Sequence, residues 1–447
     1  MLRHLLRTEP VSRAAADRRN RGSSLLAFLS AAVYGYSARK PSLAFDQLKF
    51  FYLSHLITDT KVLNLSPEVP EDAKLNTMQL ISKYGYNGEL RKVTTEDGYI
   101  LELHRITGPA NSTDSNKQKP VAFVMHGLMA DSSCFVTFGN QSLAFLLADA
   151  GYDVWLGNAR GNIYSGEHKN KTISKKDYWN FSWHEIGTLD LPAMIDYIVK
   201  TTGLEKIFYI GHSQGTTSFF IMATERSKYQ EHIVEMYAMS PVVYWGRIKS
   251  PPLQLLSQII YDIEIILQKF EFYEFNIEEF KKENPHVCAN KITQTICSVV
   301  MSLIGGFDPE QLDLAWLPVI FAHFPGRASM KQILHYGQLI KSGHMISSGN
   351  FQQYDYGIIG NQKKYNSPVP PKYDLNKITA PIHLYYSKND WLANTKDVDK
   401  FSSELSNLSS KTLIEYQQFN HFDFLWSKDV KKNVYDQMLS LMNKKLI

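Results

Sequence analysis

The chain has 447 residues and a formal net charge of +4 at neutral pH, too little for its length to suggest nucleic acid as a partner. Hydrophobic residues make up 44% and aromatics 13%, which excludes a chain disordered throughout and points to one large domain with an insertion, or to two domains. The three cysteines, Cys134, Cys288 and Cys297, permit at most one intramolecular disulfide.

Much of the positive charge lies at the start, where Arg3, Arg7, Arg13, Arg18, Arg19, Arg21, Arg39 and Lys40 face only Glu9 and Asp17. The apolar run Leu25–Tyr36 is too short to span a bilayer. A basic segment followed by a brief apolar one reads as a secretory leader. The Arg-rich, acid-poor character also fits a mitochondrial presequence. Residues 1–70 are therefore expected to be a targeting and variable segment, with secretion or a lysosomal destination the favoured reading. No later stretch is long and apolar enough for a transmembrane helix. Acceptor sequences for N-linked sugar begin at Asn64, Asn111, Asn140, Asn170, Asn180 and Asn407 and carry meaning only in the secretory route.

From there the elements alternate. Leu75–Lys83 reads as a short helix. Glu89–Val93 and Tyr99–Arg105 flank Asp97-Gly98, a good hairpin signal. After the polar loop 111–119, Pro120–Met125 reads as a buried strand running into His126-Gly127-Leu128. A helix over Leu143–Ala150, a strand over Tyr152–Leu156 and a loop at Gly157–Gly161 follow. A long helix over Leu189–Thr201 comes next. Lys206–Ile210 is then an apolar, β-branched and aromatic run that breaks into Gly211-His212-Ser213-Gln214-Gly215, with a helix-like segment, Ser218–Ala223, behind it. Ile233–Met239 is a further strand. Alternating strands and helices predict a mostly parallel sheet wrapped on both faces. Residues 71–245 are the first part of this core.

At about Trp245 the alternation stops. Leu256, Ile259, Ile260, Ile263, Leu267 and Phe270 recur at helical spacing, and a helix-rich, aromatic region runs on. Residues 246–374 are read as an inserted helical cap or lid, and residues 375–447 as the returning core, beginning with a strand at Ile382–Tyr386.

Strand, glycine-flanked serine, helix is the order that pushes a serine hydroxyl out at the end of a sheet. A serine hydroxyl is a poor nucleophile until a base takes its proton, an acid orients that base and donors meet the oxyanion. In this arrangement the chain order is Ser, acid, His. Asp390 stands just past the Ile382–Tyr386 strand, with Asp397 and Asp399 as fallbacks in an expected helix. His421 follows a strand-like run, Leu413–Phe419. The expected catalytic set is Ser213, Asp390 and His421. The expected oxyanion donors are the amides of Leu128 and Gln214, and His126 shapes the turn without a catalytic part. Histidines, cysteines and acids lack the paired spacing of a zinc site, so no metal is expected. With neither a phosphate loop nor a dinucleotide fingerprint, no cofactor is expected.

With these residues in view, the chain resembles the acid lipases, the family of gastric and lysosomal acid lipases and their invertebrate relatives. The strings that carry the resemblance are 95–101, 126–128, 157–165, 181–187, 190–193, 211–216, 389–393 and 420–424, in order from about Leu75 to the C-terminus. The resemblance implies an α/β-hydrolase core with a helical cap and lid. It implies Ser213, Asp390 and His421 as the triad, Leu128 and Gln214 as oxyanion donors, and a Cys288–Cys297 disulfide. It implies secreted or lysosomal glycoproteins that cleave triacylglycerols or sterol esters at a lipid–water interface. Gly305 stands where the family has a further cap cysteine, and Cys134 is extra. Asn180 lies inside a family motif and is not expected to carry sugar, unlike Asn64, Asn111, Asn140, Asn170 and Asn407. Other functions open at this point are a carboxylesterase for short soluble esters and a lipid binder without activity. Oligomeric state is unspecified.

Overall fold

The computed structural model describes residues 69–111, 118–345 and 349–446. Most of the expected targeting segment, Asn64 included, lies outside them.

Eleven strands form among these residues: β1 Tyr86–Thr94, β2 Tyr99–Pro109, β3 Val121–Met125, β4 Asp153–Gly157, β5 Glu167–His168, β6 Ile207–His212, β7 Ile233–Met239, β8 Glu274–Phe275, β9 Ala328–Ser329, β10 Ile382–Tyr386 and β11 Leu408–Leu413. The main sheet runs β1-β2-β4-β3-β6-β7-β10-β11, with β5 pairing β2, and β8 and β9 form a separate ribbon. From β4 to β11 every neighbour is parallel, while β1 and β2 form an antiparallel hairpin at one edge.

The central strands are apolar on both faces because helices cover both. In β3, Val121, Phe123 and Met125 belong to one core layer and Ala122 and Val124 to the other. In β6, Ile207 and Tyr209 face the first layer and Phe208 and Ile210 the second. Continuous apolar runs are what a parallel strand buried on both sides requires. The edge strand β1, by contrast, has no buried residue.

Helix ends follow local chemistry. Asn76 caps the helix Thr77–Lys83, accepting from Gln79 N at 3.0 Å while Gln79 Oε1 accepts from Asn76 N at 2.9 Å. The helix Leu191–Thr202 ends at Gly203, whose φ of 70° is the left-handed conformation glycine allows.

Between β7 and β10 the chain leaves the sheet. The helices Pro251–Gln258, Ile260–Lys269, Glu278–Glu283, Lys291–Gly305, Leu317–His323, Met330–Met345 and Gly357–Tyr365 lie in this stretch. A disulfide joins Cys288 to Cys297 there, and Cys134 is buried and unpaired. One expected element is displaced: the strand proposed at Leu413–Phe419 lies earlier, as β11 over Leu408–Leu413, whose last pairs with β10 are Thr412 with Tyr385 and Leu413 with Tyr386. The pairing stops because β10 itself ends at Tyr386, so the chain beyond has no parallel partner.

Candidate active site

β6 ends at His212 and a helix begins at Gln214, leaving Ser213 alone at the turn with φ 52° and ψ −120°. Left-handed φ strains a residue with a Cβ, and such strain gathers at functional turns. The turn is held by Ser213 N, which donates to Met239 O at 3.1 Å. Its glycines are required by space. A Cβ on Gly215 would lie 2.2 Å from Met125 O, and one on Gly211 would lie 2.9 Å from the Gly215 carbonyl carbon.

The other side chains arrive from strand ends on the same edge. Asp390 lies four residues past β10. Its Oδ1 accepts from Leu392 N at 2.9 Å and Ala393 N at 2.8 Å, which sets the plane of the carboxylate. His421 lies in the loop after β11. Its Nε2 is 2.9 Å from Ser213 Oγ, and its Nδ1 is 3.1 Å from each Asp390 oxygen. All three residues are at most 8% exposed. Burial pushes the Asp390 carboxyl up, but the His421 charge and hydrogen bonds from His421, Ser240 and Ala393 N outweigh it and hold it below the ordinary range. The fallback acids are elsewhere: Asp397 pairs with Arg247 at 2.6 Å and Asp399 with Lys411 at 2.6 Å.

Three residues join this cluster to which the sequence reading gave no part in the site. Ser240, directly after β7, places its Oγ 2.5 Å from Asp390 Oδ2 and 2.6 Å from His421 Nδ1. His212 donates from Nε2 to the His421 carbonyl at 3.0 Å. Burial, and then the nearby His421, push the His212 pKa down to about 3, so it stays neutral. Gly305, the last residue of the helix Lys291–Gly305, accepts at its carbonyl from Trp391 N at 3.0 Å and His421 N at 3.2 Å. Ser240 and His212 sit at ends of expected strands, so a strand-end survey finds them. Gly305 had no local signal.

Gly127 packs against the elbow: a Cβ there would meet Ser213 Cβ at 3.1 Å. Leu128 follows it. His126 Nε2 accepts from Ala159 N at 3.1 Å, which leaves its proton on Nδ1 to be donated to Gly127 O at 2.8 Å. Burial keeps His126 neutral by lowering its pKa. Gln214 opens the elbow helix, where the first backbone N–H groups lack intrahelical partners. Its side-chain Nε2 donates to Gln332 Oε1 at 2.7 Å, which ties the elbow to the helix Met330–Met345.

Several sequence strings serve the scaffold instead. Arg160 is buried, its Nε 2.7 Å from Asp190 and its Nη1 2.6 Å from Asp97, with its guanidinium over the Tyr99 ring. The strings 95–101, 157–165 and 190–193 thus meet in one ion-pair cluster, buried at Arg160 and Asp190 and exposed at Asp97. Asn111, Asn140, Asn170 and Asn407 are exposed. Asn180 is exposed as well, with Oδ1 accepting from Lys331 Nζ at 2.8 Å, while Ser182 of its acceptor sequence is buried.

A parallel sheet with a strained βα turn at Ser213, and an acid and a histidine delivered from later strand ends, defines an α/β hydrolase. Two family models agree, a partial α/β-hydrolase lipase region over residues 77–139 and the α/β hydrolase fold over residues 121–266. Lipase 1 of Drosophila melanogaster is 40% identical, over 84% of this chain and 81% of its own. Gastric triacylglycerol lipase of Bos taurus is 37% identical, over 83% and 92%. Lysosomal acid lipase/cholesteryl ester hydrolase of Homo sapiens is 34% identical, over 84% and 92%. The chain belongs to the acid lipase family and is a carboxylic ester hydrolase.

Proposed function

We propose that this lipase cleaves fatty-acyl esters of neutral lipids, triacylglycerols or sterol esters, through an acyl-enzyme on Ser213. The observation that carries the reading is the 2.9 Å contact of Ser213 Oγ with His421 Nε2, with Asp390 3.1 Å behind the ring. His421 takes the hydroxyl proton as Oγ attacks the ester carbonyl carbon. Asp390 keeps the remaining proton on Nδ1 and stabilises the imidazolium. The Leu128 and Gln214 amides receive the oxyanion. The alcohol leaves with the proton from His421, and water then releases the fatty acid by the same steps in reverse roles. Residues 246–374 act as a cap over this site, and the names of the gastric and lysosomal relatives support a neutral-lipid substrate.

The same relatives support a secreted or lysosomal destination. In that route the exposed Asn111, Asn140, Asn170 and Asn407 are the sugar acceptors, along with Asn64. Among the described residues no helix is long and apolar enough to cross a membrane.

The test is hydrolysis of emulsified triolein and cholesteryl oleate, with fluorophosphonate labelling in parallel. Ser213→Ala is expected to abolish labelling and to cut turnover by about 10⁴-fold or more, with the fold retained. Undiminished turnover in that variant overturns the mechanism. Activity confined to dissolved short esters overturns the substrate assignment.

A further inference from the structure

Ser240 has no part in the steps above, yet it touches both residues behind the base. It is fully buried and follows β7 with a left-handed φ of 52°, a conformation that L residues adopt only when held there. What holds it is Ser240 N, which donates to Tyr385 O of β10 at 2.8 Å. The backbone of β7 is thereby pinned to β10, and the Ser240 hydroxyl is aimed into the space between Asp390 and His421.

A serine hydroxyl has one proton to give. An ionised carboxylate can only accept, so the Ser240 proton goes to Asp390 Oδ2, 2.5 Å away. The Ser240 oxygen is then an acceptor toward His421 Nδ1, at 2.6 Å. That distance is shorter than either contact from Nδ1 to the carboxylate, both 3.1 Å. The Nδ1 proton therefore has the serine oxygen as its nearest acceptor, with the carboxylate flanking it. The carboxylate is clamped on both sides, Oδ1 by Leu392 N and Ala393 N and Oδ2 by Ser240.

We propose that Ser240 is a positioning residue of this enzyme. Its hydroxyl bridges Asp390 and His421 and locks the imidazole in the tautomer that presents the Nε2 lone pair to Ser213. The inference rests on the Ser213–His421–Asp390 mechanism proposed above. Ser240 contacts no reacting atom and moves no proton. Without it the imidazole ring has one fewer constraint on its tilt, and Oδ2 keeps only the longer contact to Nδ1.

The experiment compares Ser240→Ala and Ser240→Gly with the wild type and with Ser213→Ala, using the full chain and a soluble fluorogenic ester. Both Ser240 variants are expected to lose about 10- to 100-fold in kcat, the range of a hydrogen bond to a charged group, with KM held within about twofold. The glycine variant separates the hydroxyl from the backbone, because glycine takes a φ of 52° without strain. Equal losses in the two variants assign the effect to the hydroxyl. If glycine restores the rate that alanine loses, or if both keep wild-type kcat, the proposal is overturned. A variant that fails to fold is replaced in the comparison by Ser240→Cys, for which a kcat at the wild-type level is likewise fatal. Full activity in Ser213→Ala would defeat the mechanism itself, whereas a dead Ser213→Ala beside a fully active Ser240→Ala defeats only the role of Ser240.

Discussion

At the scale of single residues, the acid behind His421 is the sharpest discriminator. Asp390, Asp397 and Asp399 are close in sequence, but only Asp390 reaches the imidazole, because it alone sits in the turn directly past β10. In Asp390→Asn the amide N–H faces Nδ1, and the ring proton is driven to Nε2, where it blocks the base. A fall in kcat of about 10⁴-fold is expected, with thermal unfolding little changed. Asp397→Asn, whose carboxylate pairs with Arg247, is expected to keep kcat within about threefold while losing stability. Steady-state kinetics on both variants, with melting curves, check the pair of expectations. Equal kcat in the two would contradict the geometry.

At the scale of elements, the loop carrying His421 is built by side chains rather than by strand pairing. Asn420 Oδ1 accepts from Phe422 N at 2.8 Å and Asp423 N at 3.2 Å, and Asp423 Oδ2 accepts from Asn420 N at 2.6 Å. Asp423 and Asp308 are buried side by side. Burial first, and then the Asp308 charge, push the Asp423 carboxyl well above its usual range, against the Asn420 N–H bond that favours the charged form. The folded loop therefore keeps a proton that the unfolded chain gives up at about pH 3.9. Its stabilising effect is complete below that pH and is lost as pH rises through the elevated folded value. Asp390 has the opposite sign, since its depressed pKa removes stability only as pH falls below the ordinary carboxylate range. Melting temperature is expected to fall as pH rises from mildly acid toward alkaline. Asp423→Asn, neutral at every pH, is expected to flatten that slope in melts taken across the range. An unchanged slope would place the pH dependence in other groups.

At the scale of the molecule, the stretch between β7 and β10 reaches back to the loops that carry the acid and the base. The Gly305 carbonyl receives N–H bonds from both the Asp390 turn and the His421 loop, through Trp391 and His421. Asn420 Nδ2 donates to Gly306 O at 3.1 Å, and Asn389 Nδ2 donates to Phe307 O at 2.9 Å. One helix end thus sets the spacing of acid and base. Gly306 has a φ of 121°, and a Cβ on it would lie 2.0 Å from Asn389 O. Gly306→Ala is expected to push the Asp390 turn away and to lower kcat by at least about tenfold, a displacement of the kind that costs up to 100-fold. Turnover of a soluble ester checks this, because it does not depend on how the cap meets lipid. Wild-type turnover would show that the insertion does not position the site.

The sequence by itself determined the class of fold and the places where Ser213, Asp390 and His421 fall. Apolar runs, helical spacing and glycine-flanked turns are local properties, and the strands that lead to Ser213 and Asp390 were readable from their own residues, whereas the strand before His421 was expected at Leu413–Phe419 and ends at Leu413. The sequence also marked Gly127 and Gly215 as turn glycines, though what crowds a side chain there, Ser213 against Gly127 and the Met125 carbonyl against Gly215, is a tertiary contact. Tertiary structure alone decided that Ser240 lies between acid and base, that Gly305 holds both of their loops, and that Arg160 spends its charge on Asp97 and Asp190. Each of those contacts joins segments far apart in the chain. Such contacts depend on which strands become neighbours and how the insertion folds back, and no short stretch of residues carries that information.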